Sequence, residues 1–234
     1  MEMVGTIASS FAEVQERINA AARKAGRDHT GIRLMAVTKG FPRQVVLDAR
    51  AAGLTLFGEN RVQEAEQKYL DQAAGLELHL IGHLQRNKAR AASGLFACVQ
   101  SIDKVETAET LDARCDERGR SMDILLELNT SGEPTKSGFL SPHELIDGLH
   151  TIGKLAHLRV RGLMTVGPLS NDIGRIRAAF ASLRIVFEQI RAGGGLSLFD
   201  TLSMGMSGDF EIAIEEGATM VRVGTALFGS RVRI

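Results

Sequence analysis

The chain has 234 residues, 44% of them hydrophobic, enough to bury a substantial core and a common length for one α/β barrel. Lys plus Arg equals Asp plus Glu at 28 each, so no net field steers the chain toward nucleic acid or an anionic membrane. Cys98 and Cys115 lack CxxC spacing, "MEMVGTIASSFAEVQERI" lacks the basic and apolar segments of a signal peptide, and no apolar run approaches the roughly 18 residues of a membrane span. A soluble cytoplasmic protein is expected, with no metal site, no nucleic-acid partner and no membrane partner.

A helix at about 8–25 opens the chain, followed by a strand over 32–39 (IRLMAVTK). Gly40 and Pro42 stop that strand, which leaves Lys39 at its last ordered position. Taken alone, Lys39 is a solvated strand-end lysine. Further strands are predicted over 54–60, 76–82, 95–102, 122–130, 158–166, 197–205 and 220–226. Between them lie amphipathic stretches such as "PRQVVLDARAAG", "RVQEAEQKYLDQAAG" and "SPHELIDGLHTIGKL", with apolar residues at i, i+3, i+4 and several terminal glycines. With no linker or composition break, the strand–helix units predict one domain over residues 1–234, a single (β/α)₈ TIM barrel with an extra N-terminal helix. An open doubly wound sheet is the alternative, but its first βα turn would want a GxGxxG motif, which is absent.

In a (β/α)₈ barrel the strand ends carry the chemistry, and the loops after strands 7 and 8 hold phosphate. Strand 7 ends "LSMGMSGDFEIAIEEG", placing Ser203, Gly205, Ser207 and Gly208 before a helix that opens at about Asp209. Strand 8 runs "MVRVGTALFG" and ends on Gly224-Thr225. Small residues there let backbone N–H groups close on an anion, although one such loop alone is equally well a tight turn. Alternation puts Met220, Arg222 and Gly224 inward and Val221, Val223 and Thr225 outward. A buried guanidinium needs a partner, either Glu127 in an ion pair or a ring nitrogen or carboxylate of a ligand. Lys39 shares a face with Met35 and Val37, and near an arginine its amine is expected to be partly neutral and nucleophilic.

The stretches "AVTKGFP", "FGENRVQEA", "HLIGHLQRNKAR", "GEPTKSGF", "GLMTV" and "LSMGMSGDFEIAIEEGATMVRVGTALFG" follow one another from about residue 32 to 229. In these the chain resembles the pyridoxal phosphate homeostasis protein family, whose fold is that of the alanine racemase N-terminal barrel. The resemblance implies pyridoxal 5'-phosphate as cofactor and Lys39 as the Schiff-base lysine. It also implies that Arg222 faces the pyridine nitrogen, that Ser203, Met204, Gly224 and Thr225 hold the phosphate, and that Asn60 lies beside the ring. A cation at the ring nitrogen weakens the ring as an electron sink, which suits a carrier, or a racemase with limited side reactions, better than a transaminase.

Other motifs carry less. Gly82 breaks "HLIGH", so His79 and His83 are expected as core or loop histidines and not as zinc ligands. "GEPTKSG" lacks P-loop spacing and leaves Lys136 as a loop lysine near the barrel mouth, and "QRNKAR" reads as a solvated helix face. Two function classes remain: a non-catalytic carrier and buffer of the cofactor, which the resemblance implies, and an enzyme, either an amino-acid racemase or a Schiff-base aldolase acting on a sugar phosphate. A two-base racemase needs a second proton-transfer group opposite the lysine. The only tyrosine, Tyr69, lies in the helical stretch after strand 2 and is expected far from the site. The carrier is therefore favoured, as a monomer that supplies pyridoxal phosphate-dependent apoenzymes.

Overall fold

A computed structural model describes residues 2–69, 75–133 and 136–230. Its strands are β1 (Arg33–Val37), β2 (Leu56–Glu59), β3 (Glu77–Leu80), β4 (Cys98–Ile102), β5 (Met122–Glu127), β6 (Leu158–Met164), β7 (Thr201–Ser203) and β8 (Met220–Val223). They close into a barrel in sequence order, and every neighbouring pair is parallel. The helices are α1 (Glu2–Lys24), α2 (Arg43–Ala51), α3 (Val62–Tyr69), α4 (Ala89–Leu95), α5 (Val105–Asp116), α6 (Pro142–Ile152), α7 (Ile173–Ala192), α8 (Phe210–Glu215) and α9 (Thr225–Phe228). Residues 70–74 of the predicted helical stretch 61–75 lie outside the described residues, as do Pro134 and Thr135 of "GEPTKSG". Among the described residues no helix is long and apolar enough to cross a membrane.

All eight predicted strands are present, but the pairing stops before the predicted C-terminal ends, at Val37, Glu59, Ser203 and Val223. The helix expected at 8–25 begins instead at Glu2. It packs on the barrel through Ile7, Val14, Ile18, Ala21 and Ala22, and pairs with α8 through Arg17–Glu211 and Lys24–Glu215. The helix expected at about Asp209 starts there, with Asp209 as the N-cap of α8.

Strand alternation divides the barrel into two environments. Outward residues such as Ala36, Phe57, Leu80, Val99, Val221 and Val223 join the helices in one large apolar layer. Inside the barrel are two small apolar plugs. One is Met35, Val37, Leu56 and Met220, and the other is Cys98, Leu125 and Met164. Gly58 belongs to the first, since a Cβ there would lie 2.5 Å from the Met35 sulfur. His79, Gln100, Glu127, Ser203 and Arg222 are buried on the inward-facing parity as well. Each would cost a few kcal/mol if left unpaired, so their partners decide whether this interior is stable.

Candidate functional site

The first component is the end of β1. The strand stops at Val37, so Lys39 lies two residues beyond it, half-buried in a turn and not at the strand's last position. Phe41 N–H donates to Thr38 O at 3.1 Å, and Gly40 supplies the positive φ of 74°. Thr38 points outward and is gripped by the layer behind it. Its Oγ1 donates to Glu59 Oε1 at 2.6 Å, and its carbonyl accepts from Lys68 Nζ at 2.7 Å. Lys68 also donates to Glu59 Oε1 at 3.0 Å and to Glu64 Oε1 at 2.6 Å, while Gly40 N–H donates to that same Glu64 oxygen. Both neighbours of Lys39 are therefore fixed by hydrogen bonds that reach α3. Burial raises the Glu59 carboxyl pKa, opposed by the Thr38 hydrogen bond and the Lys68 charge.

Tyr69 departs from expectation. It is fully buried, with its hydroxyl 2.7 Å from Thr38 Oγ1. Because Thr38 gives its proton to Glu59, Tyr69 is the donor in that pair. The phenol thus lies beside the lysine turn and not far from it. It sits behind the sheet, where burial pushes its pKa up, and not at the barrel mouth.

Arg222 is the second component, buried in the interior and paired in register with Met35 of β1. Its Nη1 donates to Ser203 O at 2.9 Å and to Ser203 Oγ at 2.7 Å, and its Nη2 donates to Thr165 O at 2.6 Å. Among the described residues these bonds engage three of its five N–H groups and leave Nε–H and one on Nη2. No ion pair joins Arg222 to Glu127, and the two act on each other through space. Burial lowers the Arg222 pKa to about 10, opposed by Glu127 and Asp209. Burial raises Glu127 to about 7, reinforced by Asp103 and opposed by Arg222.

The third component joins the loops after β7 and β8. Ser207 Oγ accepts from the N–H of Gly224 at 3.2 Å and of Ala226 at 3.3 Å. This pair of backbone donors converges on one oxygen. A Cβ on Gly224 would lie 3.1 Å from Val37 O, a tight contact, so glycine lets β8 end close to the Lys39 turn without displacing β1. Gly205 has φ +92° and a Cβ there would lie 2.5 Å from that of Ala213, so the loop requires glycine on both counts. Thr225 is exposed at the start of α9. Ser203 and Met204 are placed differently from expectation. The Ser203 hydroxyl donates to Gln100 Oε1 at 2.7 Å and accepts from Arg222, and Met204 N–H donates to Met220 O at 3.1 Å. Neither donor is left for a phosphate.

Beyond the ends of β2, β3, β5 and β6 lies a cavity of about 280 Å³ lined by Asn60, Gly82, His83, Glu127 and Lys136 among others. Asn60 is half-buried directly after β2, and a Cβ on Gly82 would lie 2.3 Å from its carbonyl oxygen. Lys136 donates to Gly167 O at 3.2 Å and pairs with Glu133 at 3.0 Å, at the mouth as expected. The two histidines of "HLIGH" have separate partners. His79 bonds Glu77 and Gln100 inside the barrel, and His83 Nδ1 lies 3.1 Å from Asp103 Oδ2. The sequence reading missed Ser207 as an anchor, although it lay in the loop singled out. It also missed Gln100, whose signal was a polar residue inside the apolar run "FACVQSI".

The model of the family "Alanine racemase, N-terminal domain" matches residues 10–232. The "Pyridoxal phosphate homeostasis protein" of Pseudomonas aeruginosa is 42% identical over 229 residues, covering 97% of both chains. The structure of PipY from Synechococcus elongatus with PLP bound superposes with a TM-score of 0.83 at 36% identity, covering 95% of this chain and 100% of that one. Alanine racemase of Clostridium difficile gives a TM-score of 0.72 at 13% identity over 92% of this chain and 56% of that one, a likeness of fold alone. A barrel whose arginine, lysine turn and glycine-bearing eighth strand meet at one mouth accompanies these matches over nearly the whole length, and the chain belongs to the pyridoxal phosphate homeostasis protein family.

Proposed function

We propose that this protein binds pyridoxal 5'-phosphate through Lys39 and holds it as a carrier and buffer, without turning over a substrate of its own. The observation that carries this reading is Arg222. It is held inside the barrel by Ser203 and Thr165, keeps two N–H groups uncommitted among the described residues, and lies on the strand that pairs with β1. The described residues fit the cofactor. Lys39 supplies the primary amine, Asn60 flanks the ring, and Arg222 meets the ring nitrogen. Gly224, Thr225 and Ser207 take the phosphate, and the oxygen already gripped by two backbone N–H groups stands in for a phosphate oxygen. Ser203 and Met204 serve from behind, the first by steadying Arg222 and the second by tying β7 to β8. When bound, the cofactor supplies an aldehyde that condenses with an amine and a ring that withdraws electrons strongly only when its nitrogen is protonated.

A guanidinium has no acceptor and does not give up its proton at working pH, so Arg222 donates to the ring nitrogen and keeps it unprotonated. Tyr69, behind the sheet, is not positioned to act as a second base at the mouth. Relatives named for homeostasis agree with a carrier. The reading extends to a cytoplasmic monomer that delivers the cofactor to apoenzymes.

The test is reduction of the purified, cofactor-loaded protein with borohydride followed by peptide mapping. A yellow protein with the adduct on Lys39, lost in Lys39→Ala, is expected. An adduct on another lysine would overturn the assignment. A colourless protein that cannot be reconstituted, yet forms a reducible adduct with a sugar phosphate, would favour the aldolase.

A further inference from the structure

The interior polar residues form a continuous chain along the barrel. From the mouth downward, Arg222 Nη1 is 2.7 Å from Ser203 Oγ, and Ser203 Oγ is 2.7 Å from Gln100 Oε1. Gln100 Nε2 is 2.8 Å from His79 Nδ1, and His79 Nε2 is 2.8 Å from Glu77 Oε1. The chain ends at a cavity of about 170 Å³ on the N-terminal face, where Arg33 donates to the other oxygen of Glu77.

The direction of every link follows from the first. A guanidinium can only donate, so Ser203 Oγ accepts from Arg222 and sends its own proton to Gln100 Oε1. The amide nitrogen of Gln100 then faces His79 Nδ1, and its other hydrogen faces Met220 sulfur at 3.1 Å, an atom that can only accept. His79 Nδ1 must therefore be bare, and Nε2–H donates to Glu77. Turning the amide over would set its oxygen against the Met220 sulfur and leave the Ser203 proton without an acceptor. At the other end Glu77 is a reliable acceptor, held ionised by its hydrogen bond from His79 and then by Arg33.

We propose that His79 and Gln100 are positioning residues for Arg222, forming a one-way hydrogen-bond chain that fixes the orientation in which the guanidinium meets the cofactor ring. The proposal rests on the reading of Arg222 given above. Neither residue touches the cofactor. Both act by holding Ser203, and Ser203 holds the guanidinium.

The test compares His79→Leu, Gln100→Leu, His79→Gln and Arg222→Gln, each loaded with pyridoxal 5'-phosphate. The two leucine variants break the chain and are expected to shift the visible spectrum in the same direction as Arg222→Gln. They should weaken cofactor binding about threefold to tenfold, the effect of one or two lost hydrogen bonds, and keep the borohydride adduct on Lys39. His79→Gln restores the pattern, because its amide oxygen accepts from Gln100 and its amide nitrogen donates to Glu77, and it should return the wild-type spectrum. A packing role alone would not be rescued by glutamine while leucine fails. If Arg222→Gln shifts the spectrum and neither leucine variant does, the chain is wrong and the reading of Arg222 survives. If Arg222→Gln itself changes nothing, that reading fails and takes the chain with it. Nitrogen-15 NMR of the wild-type imidazoles gives a check that needs no variant to fold. His79 must appear as the neutral Nε2–H tautomer, and a proton on Nδ1 overturns the proposal.

Discussion

The hydroxyl of Tyr69 lies 2.7 Å from that of Thr38, one residue before Lys39, so the phenol of α3 anchors the turn that presents the lysine. Thr38 passes its proton to Glu59, a carboxylate whose other oxygen, Oε2, is buried with no partner among the described residues. The two hydroxyls are therefore unequal. Tyr69→Phe removes one donor and should lower stability by about 1 kcal/mol. Thr38→Val also takes a hydrogen bond from the buried Glu59 and strands the tyrosine proton, so about 2–3 kcal/mol is expected. Urea midpoints of the two variants give the comparison. Equal losses would mean that the chain from Tyr69 through Thr38 to Glu59 is not coupled.

Glu127 gives the fold a pH dependence with a definite sign. Its pKa rises from 4.5 to about 7 because burial and Asp103 disfavour its charge. Between those values the folded protein binds a proton that the unfolded chain releases, so this group makes stability fall as pH rises through that window. The full cost, roughly 3 kcal/mol, is present above pH 7 and absent below about pH 4. Glu127→Gln removes the charge. The variant should be more stable than wild type at pH 8 by about 2–3 kcal/mol and nearly equal to it at pH 4. Chemical denaturation of the cofactor-free protein at both pH values measures this, and a pH-independent difference would show that ionisation is not the cause.

The parity of the strands was legible because helices cover the outside, so Val221 and Val223 must face them and Arg222 must face in. The strand ends were less legible. A residue that extends an apolar run, such as Gly224, leaves the ladder to hydrogen-bond across loops, and no local pattern marks where that happens. Ser203 and Ser207 show the limit most clearly. Both are small hydroxyl residues of one glycine-rich stretch, Ser203 at the end of β7 and Ser207 in the loop after it. Only the pairing of β7 with β8 turns Ser203 toward Gln100 and Arg222 while Ser207 reaches the N–H groups of Gly224 and Ala226. Tyr69 was misjudged for a related reason, since its partner is 31 positions away and a helix period does not reveal which strand end it will meet.

Arg222→Glu reverses the sense of the contact with the ring nitrogen, because a carboxylate accepts where the guanidinium donated. The protonated pyridine should then be favoured, changing the bound cofactor's spectrum and its pH dependence. The same change leaves Ser203 O and Thr165 O without their donor, so reduced stability is expected as well. The two effects separate by measuring the spectrum under conditions where circular dichroism shows the variant folded. An unchanged spectrum in the folded variant would assign Arg222 to structure alone.

The loops after β7 and β8 should supply much of the cofactor's affinity, and comparison of the two vitamers isolates their share. Charge-assisted hydrogen bonds contribute roughly 1.5–3 kcal/mol each, and the phosphate would receive several from Gly224, Thr225, Ala226 and Ser207. Removing the phosphate forfeits them, but water and the Ser207 hydroxyl, which already occupies two of the donors, compensate in part. A net loss of about 3–4 kcal/mol corresponds to roughly 100- to 1,000-fold weaker binding of pyridoxal, while its aldehyde still reaches Lys39. Gly224→Val adds a second handle. Its Cβ alone would lie 3.1 Å from Val37 O, so the end of β8 must move away from β1 and carry the N–H donors with it. The phosphorylated form should lose affinity in this variant and pyridoxal should barely change. Equal affinity of the wild-type protein for the two vitamers, measured by titration of the visible band, would mean that these loops are turns only and that the phosphate is held elsewhere.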